Sequence, residues 1–383
     1  MTAVVPAQLA AHRIEIPQEA LDDLRERLRR TRFLDDLPVP EGTVQTGPFP
    51  PEFALGVPGS LVRELVAQWL ETDWRATEAR LNAWPNLVTE IDGQRVHTIH
   101  ARSPRADATP LILLHGWPNS VLEYLDLLGE LTDPADAEAP AFHVVLPSLP
   151  GFGFSGPTTE RGWNRYRVAD AMAELMSRLG YERYVVAGND VGSIVGPELG
   201  RRHPDAVRGV HVTQIFSFPS GDPAEFENLT PADFEYLDFL QKWMESESAF
   251  NQLQSTKPHH LAHALLDSPA GQLGWSAQLL AGAGAQHLIE NAALYWLTGT
   301  GASSTRIYFE DNHAEHPTEP TTAPLALSSF ANDVRPLRPF AERDHTNIVS
   351  WQMHDRGSHW ATVDAPDLLL ADLRAFAALL DGS

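Results

Sequence analysis

The residues best placed to do chemistry sit in one hexapeptide, Gly188-Asn189-Asp190-Val191-Gly192-Ser193. It follows the β-rich run Tyr184-Val185-Val186-Ala187 and precedes a stretch of helical character that ends near Arg202. A strand that turns sharply into a helix needs small residues on both sides of the turn, and such a turn exposes the side chain at its apex. Here the apex is the carboxylate of Asp190. The chain holds no Gly-x-Ser-x-Gly and no cysteine, so neither a serine elbow nor a thiolate is on offer. A carboxylate suits attack at an sp³ carbon, leaving an alkyl ester, whereas serine suits acyl substrates. Taken alone, the hexapeptide reads equally well as a Gly-rich turn in which Asp190 caps a helix.

Two further segments converge on the same chemistry. His115-Gly116-Trp117-Pro118 follows the apolar run Leu111 to Leu114. The turn resembles the one that in α/β hydrolases gives a backbone N–H to an oxyanion, which implies Trp117 as one donor and Val191 as the second; an ordinary strand-ending turn would look the same. Gly357-Ser358-His359-Trp360 follows the strand candidate Ile348 to Met353, which sets His359 on a loop at the same sheet edge, in the right chain order for a base. A base needs an orienting acid. Asp333, just after the strand candidate Ala323 to Ser328, is the first choice, with Asp344, Glu342, Asp355 and Glu310 as competitors. His259, His260 and His263 lie close together, but no carboxylate accompanies them at a useful spacing, so no metal site is expected.

These loops need a scaffold. From Val88 onward short β-rich segments alternate with helices: Val96 to His100, Leu111 to Leu114, Phe142 to Leu146, Tyr184 to Ala187 and Val210 to Gln214. That alternation predicts an α/β fold with a mostly parallel sheet. A helical region from about Pro223 to Asp311 interrupts it as a cap before two more strands and a terminal helix at Pro366 to Leu380. Ahead of the sheet, Pro17 to Arg32 and Leu61 to Leu81 show helical spacing around a Pro/Gly-rich meander, Leu37 to Pro58, which makes a lid rather than an independent module. The expected division is residues 1–95 for the lid, 96–222 for the first part of the core, 223–318 for the helical cap and 319–383 for the rest of the core.

Composition narrows the partners. The 383 residues carry 28 Lys and Arg against 51 Asp and Glu, a net charge of −23, so the electrostatic drive toward nucleic acid or anionic membranes is missing. The N-terminus lacks the pattern of a signal peptide, and no apolar run approaches the roughly 18 residues of a membrane span. A cytoplasmic chain is expected, as a monomer or a homodimer.

Together these motifs resemble the epoxide hydrolases of microsomal type, α/β hydrolases with an N-terminal epoxide-hydrolase domain. The resemblance spans nearly the whole chain. It includes Asp73-Trp74-Arg75, His115 to Pro118, Leu149-Pro150-Gly151-Phe152-Gly153-Phe154-Ser155, the Asp190 turn, Leu294-Tyr295-Trp296 and Gly357 to Trp360. It implies Asp190 as nucleophile, Asp333 as acid and His359 as base, acting with water and no cofactor to turn an epoxide into a vicinal diol. Tyr308 matches a cap tyrosine that hydrogen-bonds the epoxide oxygen. A second such tyrosine is replaced by Phe250, ahead of Gln254-Ser255-Thr256-Lys257-Pro258. Tyr236 is a candidate to stand in for it. His115, Pro118, Phe250 and Tyr236 are expected around the substrate.

Two rivals share the fold. A haloalkane dehalogenase uses the same aspartyl ester but needs a halide donor, often an indole just after the nucleophile, where this chain has Val191. Trp117 or a cap tryptophan would have to serve. A non-catalytic ligand-binding protein has no use for nucleophile, acid and base together. Ten Trp and sixteen Phe favour an apolar or aromatic epoxide, either a xenobiotic arene or styrene oxide or an intermediate of natural-product synthesis.

Overall fold

The computed structural model describes residues 8–40 and 51–382; within the meander expected at Leu37 to Pro58, residues 41–50 lie outside that description. Nine strands among the described residues form one sheet. They are β1 (Ala10–His12), β2 (Asn86–Ile91), β3 (Gln94–Ala101), β4 (Thr109–Leu114), β5 (Phe142–Ser148), β6 (Tyr184–Gly188), β7 (Val207–Val212), β8 (Leu325–Ser329) and β9 (Ile348–Met353). Their spatial order is β1-β2-β3-β5-β4-β6-β7-β8-β9. The strands from β5 to β9 pair in parallel, and β1, β2 and β3 run antiparallel at one side.

The central strands are covered on both faces, which explains their unbroken apolar runs. Along β4, Leu111 and Leu113 enter one core while Ile112 and Leu114 enter the other; along β6, Val185 and Ala187 oppose Val186 in the same way. Two strands, β1 and β2, were not anticipated. β1 is three residues, Ala-Ala-His, with no β-rich signature, and it forms only by pairing with β2. The strand expected at Val210 to Gln214 is shifted too. It closes at Val212, and Thr213 and Gln214 leave the sheet toward the neighbouring loops.

Between β7 and β8 the chain is helical from Pro223 to Asn312. Ahead of the sheet, the helical pattern expected from Leu61 to Leu81 breaks into Gly59–Glu71 and Trp74–Asn82, because Asp73 accepts the Arg75 N–H and caps the second helix. The helix Gln18–Arg29 buries Leu21, Leu24 and Leu28 and packs on the helix Pro269–Leu280 of the inserted region.

Buried charge ties these layers together. Glu290, on the inserted helix Ala285–Leu297, accepts hydrogen bonds from Thr77 and from Arg80, and Arg80 also reaches Asp126. Removing the cation leaves Glu290 buried with neutral donors alone. Arg80→Ala is expected to cost about 2–3 kcal/mol in urea unfolding. That is below the 3–5 kcal/mol of a wholly buried pair, because the Arg80 side chain is 39% exposed. A loss under about 0.5 kcal/mol would show that the pair is no more than a surface contact.

Candidate active site

His115 to Pro118, Asp190, Asp333 and His359 come from loops at the carboxyl ends of parallel strands, where open α/β sheets bind ligands, whereas Tyr236, Phe250 and Tyr308 lie on helices of the inserted region. β4 delivers His115 to Pro118, β6 delivers Asp190, β8 delivers Asp333 and β9 delivers His359.

Asp190 joins β6 to the helix Val191–Arg202 with φ 52° and ψ −111°, a conformation that non-glycine residues rarely adopt and that costs on the order of 1–3 kcal/mol. It persists because its neighbours leave no alternative. A Cβ on Gly192 would collide with the Leu114 carbonyl, and one on Gly116 would lie 2.5 Å from the Asp190 Cβ. The two loops therefore meet backbone to backbone.

That approach puts the Trp117 N–H 2.8 Å from Asp190 Oδ1. On the other side, Asp190 Oδ2 lies 3.6 Å from His359 Nε2, and His359 Nδ1 lies 2.8 Å from Asp333 Oδ1. Val191 opens the following helix. Of the competing acids, Glu342 is paired with Arg338, and Asp344 with Arg343. Asp333 is the one that meets the imidazole.

Burial alone would drive the His359 imidazole down. The charge of Asp333, the hydrogen bonds with Asp190 and Asp333 and the charge of Asp190 together outweigh it and hold the ring well above its ordinary 6.5. Tyr308 is driven the opposite way from ionisation: burial, with the charge of Asp190 and the nearby Tyr295, keeps its phenol protonated far above 10. The site thus holds a carboxylate, an imidazolium and a phenolic donor.

Two of the expected pocket residues do other work. His115 is fully buried, with Nδ1 3.0 Å from the Gly116 carbonyl and Nε2 accepting the Leu149 N–H. It fixes the turn and does not line the substrate space, and burial pushes it down to about 4, so it stays neutral. Tyr236 faces the acid loop, where its oxygen accepts the Arg335 N–H at 2.8 Å under the Arg335 guanidinium. Pro118 is buried behind Trp117 in a cis peptide. Phe250 does border the site: its ring stacks on Trp117 at 5.9 Å and meets Tyr308 edge-on at 6.3 Å.

Sequence reading missed the polar supports. Glu123 accepts the Gly116 N–H at 3.0 Å and an Asn189 amide hydrogen at 2.8 Å, so it grips the residue before Trp117 and the residue before Asp190. Burial pushes its carboxyl up to about 8. Its only signal in the sequence was a lone carboxylate among Val121, Leu122, Tyr124 and Leu125. Gln214 was missed because it read as the last residue of a strand.

Comparison with known proteins agrees with this geometry. Residues 9–124 match the family model described as epoxide hydrolase N terminus, and residues 109–295 match that of the alpha/beta hydrolase fold. A protein of Stigmatella aurantiaca named "Putative epoxide hydrolase" is 38% identical, over 94% of this chain and 83% of its own length. The chain belongs to the epoxide hydrolase family. The solved structure of the Aspergillus niger epoxide hydrolase is similar over 99% of both chains, at 30% identity and a TM-score of 0.82. The juvenile hormone epoxide hydrolase of Bombyx mori shares the fold at 22% identity, with a TM-score of 0.87 over 99% of this chain and 96% of its own.

In this epoxide hydrolase the indole of Trp117 is committed elsewhere. Its N–H donates to Ser304 Oγ at 3.2 Å, which takes away the halide donor that a dehalogenase would need there. Among the described residues, no helix is long and apolar enough to cross a membrane, and no three metal-ligating side chains gather.

The raised His359 has a consequence for pH. Its stabilising ion pairs are complete below 6.5 and are lost as pH climbs through the raised folded value. Asp190→Asn takes away one of the two carboxylates, so the His359 titration followed by NMR should move to lower pH than in wild type. Stability should also begin to fall at lower pH. An unmoved titration would mean that Asp190 and His359 do not sense each other.

Proposed function

We propose that this epoxide hydrolase works through a covalent ester on Asp190. The observation that carries the reading is the line of carboxylate, imidazole and carboxylate formed by Asp190, His359 and Asp333, with the Trp117 N–H on the remaining oxygen of Asp190.

The two oxygens of Asp190 have different surroundings, which supports a different part for each. Oδ1 already accepts the Trp117 N–H. Oδ2 is the oxygen that attacks an epoxide carbon. As the C–O bond of the strained ring breaks, its oxygen gathers negative charge and takes a hydrogen bond or proton from Tyr308. The ester that forms is neutral at Asp190. One of the charges that raised His359 has then vanished, so the imidazole gives up its proton, which restores the Tyr308 hydroxyl or neutralises the new alkoxide, and it becomes the base the second step needs.

Held by Asp333, neutral His359 takes a proton from water. The hydroxide adds to the ester carbonyl, whose oxygen, the former Oδ1, rests in the hole formed by the Trp117 and Val191 N–H groups. As the intermediate collapses, His359 returns its proton to Oδ2, and the diol leaves with Oδ2 as its new oxygen; the carboxyl left on Asp190 then protonates His359 again. Water's oxygen stays in Asp190. The rings of Trp117, Phe250 and Tyr308 beside the nucleophile favour an apolar or aromatic epoxide. A cytoplasmic setting belongs to the same reading and is supported by the cysteine-free, acidic chain.

Mass spectrometry of the His359→Gln variant mixed with styrene oxide should find the alkyl adduct on the peptide containing Asp190. In a single turnover of wild type in ¹⁸O water, the label should enter Asp190 and not the diol. An unmodified peptide and labelled diol would mean that water attacks the epoxide directly.

With Phe250 in place of a second phenol, Tyr308 carries the electrophilic assistance. Losing a lone donor aimed at a developing oxyanion costs about 10²–10³ in rate. Tyr308→Phe should slow alkylation by that factor, read by stopped-flow tryptophan fluorescence, and leave ester hydrolysis nearly unchanged. Alkylation at the wild-type rate would reduce Tyr308 to a packing residue.

A further inference from the structure

Gln214 lies just past the end of β7, and its side chain is fully buried among the catalytic loops. Its carbonyl Oε1 accepts the backbone N–H of Asp190 at 2.8 Å and the Ser193 hydroxyl at 3.1 Å. Its Nε2 donates to Asn189 Oδ1 at 2.8 Å and to Asp333 Oδ2. The amide can sit only one way round. A backbone N–H is solely a donor and an ionised carboxylate solely an acceptor, so a flipped amide would set donor against donor and acceptor against acceptor. One planar group therefore connects the strained turn of the nucleophile to the acid.

The acid's own bonding shows what this accomplishes. Asp333 Oδ1 accepts from His359 Nδ1 and, at 2.7 Å, from the Val334 N–H. Oδ2 takes its hydrogen bond from Gln214. With that oxygen held, the carboxylate cannot swing its Oδ1 away from the imidazole. The Asp190 N–H, meanwhile, has a fixed acceptor that keeps the unfavourable backbone conformation in place.

We propose that Gln214 is a positioning residue for the ester-hydrolysis half-reaction, spanning the nucleophile turn and the acid loop so that Asp333 presents a single oxygen to His359. The proposal rests on the two-step reading given above. Gln214 does not touch the space where substrate reacts; it acts through Asp333 and the Asp190 backbone. The charged or titratable groups facing His359 are Asp190, Asp333 and, from the helix behind the oxyanion turn, Glu123. Of these, Gln214 bonds the carboxylate of Asp333 and only the backbone N–H of Asp190, and its Nε2 lies 3.5 Å from His359 Nδ1.

The test measures alkylation and ester hydrolysis separately, by stopped-flow tryptophan fluorescence and single-turnover quench with styrene oxide, across pH. Gln214→Leu frees Asp333 to rotate. Misplacement of a catalytic group by about 1 Å costs about 10²-fold, so ester hydrolysis should fall by that order, alkylation much less, and the Asp190 ester should accumulate. Gln214→Glu is nearly isosteric and decides the matter if the leucine variant does not fold. Protonated, the new carboxyl still donates to Asp333; ionised, it repels it. Its hydrolysis step should approach wild type at low pH and fail as pH rises, adding an alkaline limb that wild type lacks.

The proposal is overturned if Gln214→Leu slows both half-reactions by the same factor, or if Gln214→Glu keeps the wild-type pH profile. Either result would make Gln214 a packing residue. A wild-type enzyme that forms no adduct on Asp190 would instead sink the underlying two-step reading, and this proposal with it.

Discussion

The site depends on a contact that leaves no room for a side chain. The turn after β4 and the turn after β6 touch through Gly116 against Asp190 and through Gly192 against the Leu114 carbonyl. Only that approach sets the Trp117 N–H against the Asp190 carboxylate. Its cost is the backbone of Asp190, held at φ 52° where an L-residue is strained. The surrounding polar groups offset the strain. Glu123 binds both turns at once, and Gln214 holds the Asp190 N–H from the far side. These supports are buried and hydrogen-bonded, so each would cost about 1–3 kcal/mol to leave unpaired.

Charge balance follows from the same crowding. Asp190 and Asp333 flank His359, and a third carboxyl, Glu123, is buried close by. Three neighbouring negative charges around one imidazolium would be unfavourable in a low dielectric. The structure avoids this by lifting Glu123 to about 8, so that at neutral pH it is chiefly a neutral group and the imidazolium is shared between two carboxylates. Alkylation would then remove one of the two, which ties the basicity of His359 to the first chemical step and not to the pH of the medium alone.

What the sequence disclosed follows the range of the forces involved. The turn around Asp190 was legible because its steric demand falls on adjacent residues, leaving small side chains at fixed spacing. The sheet was legible because strands covered on both faces must be apolar throughout. Asp333 and His359 were readable through chain order and their place after strands. The supports were not. Gln214 meets Asp190 and Asp333 across long stretches of chain, and Glu123 meets Asn189 the same way, so nothing in their own neighbourhoods marks them. His115 was misjudged for the converse reason. Its motif marks it as important, but both of its nitrogens are spent on backbone, which only the fold reveals. β1 escaped because three residues with no β-preference become a strand only when β2 is there to pair with.

Phe250 sets how work is shared among its neighbours. Its ring lies flat on the Trp117 indole and edge-on to Tyr308, so the three rings form one packed unit beside the nucleophile. A flat stack in that place steadies the residue whose backbone N–H faces Asp190, and the indole N–H is fixed in turn by Ser304. Of the polar groups on these three rings, the indole N–H is spent on Ser304, which leaves the Tyr308 hydroxyl as the donor for the proposed site. In a desolvated wall a single donor is worth more than in water, because nothing else competes for the developing charge. Burial and the Asp190 carboxylate both keep that phenol protonated until it is needed. With an apolar ring at Phe250, the proposed site has a dry wall and one strongly directed donor, an arrangement that suits epoxides whose substituents can lie against aromatic rings.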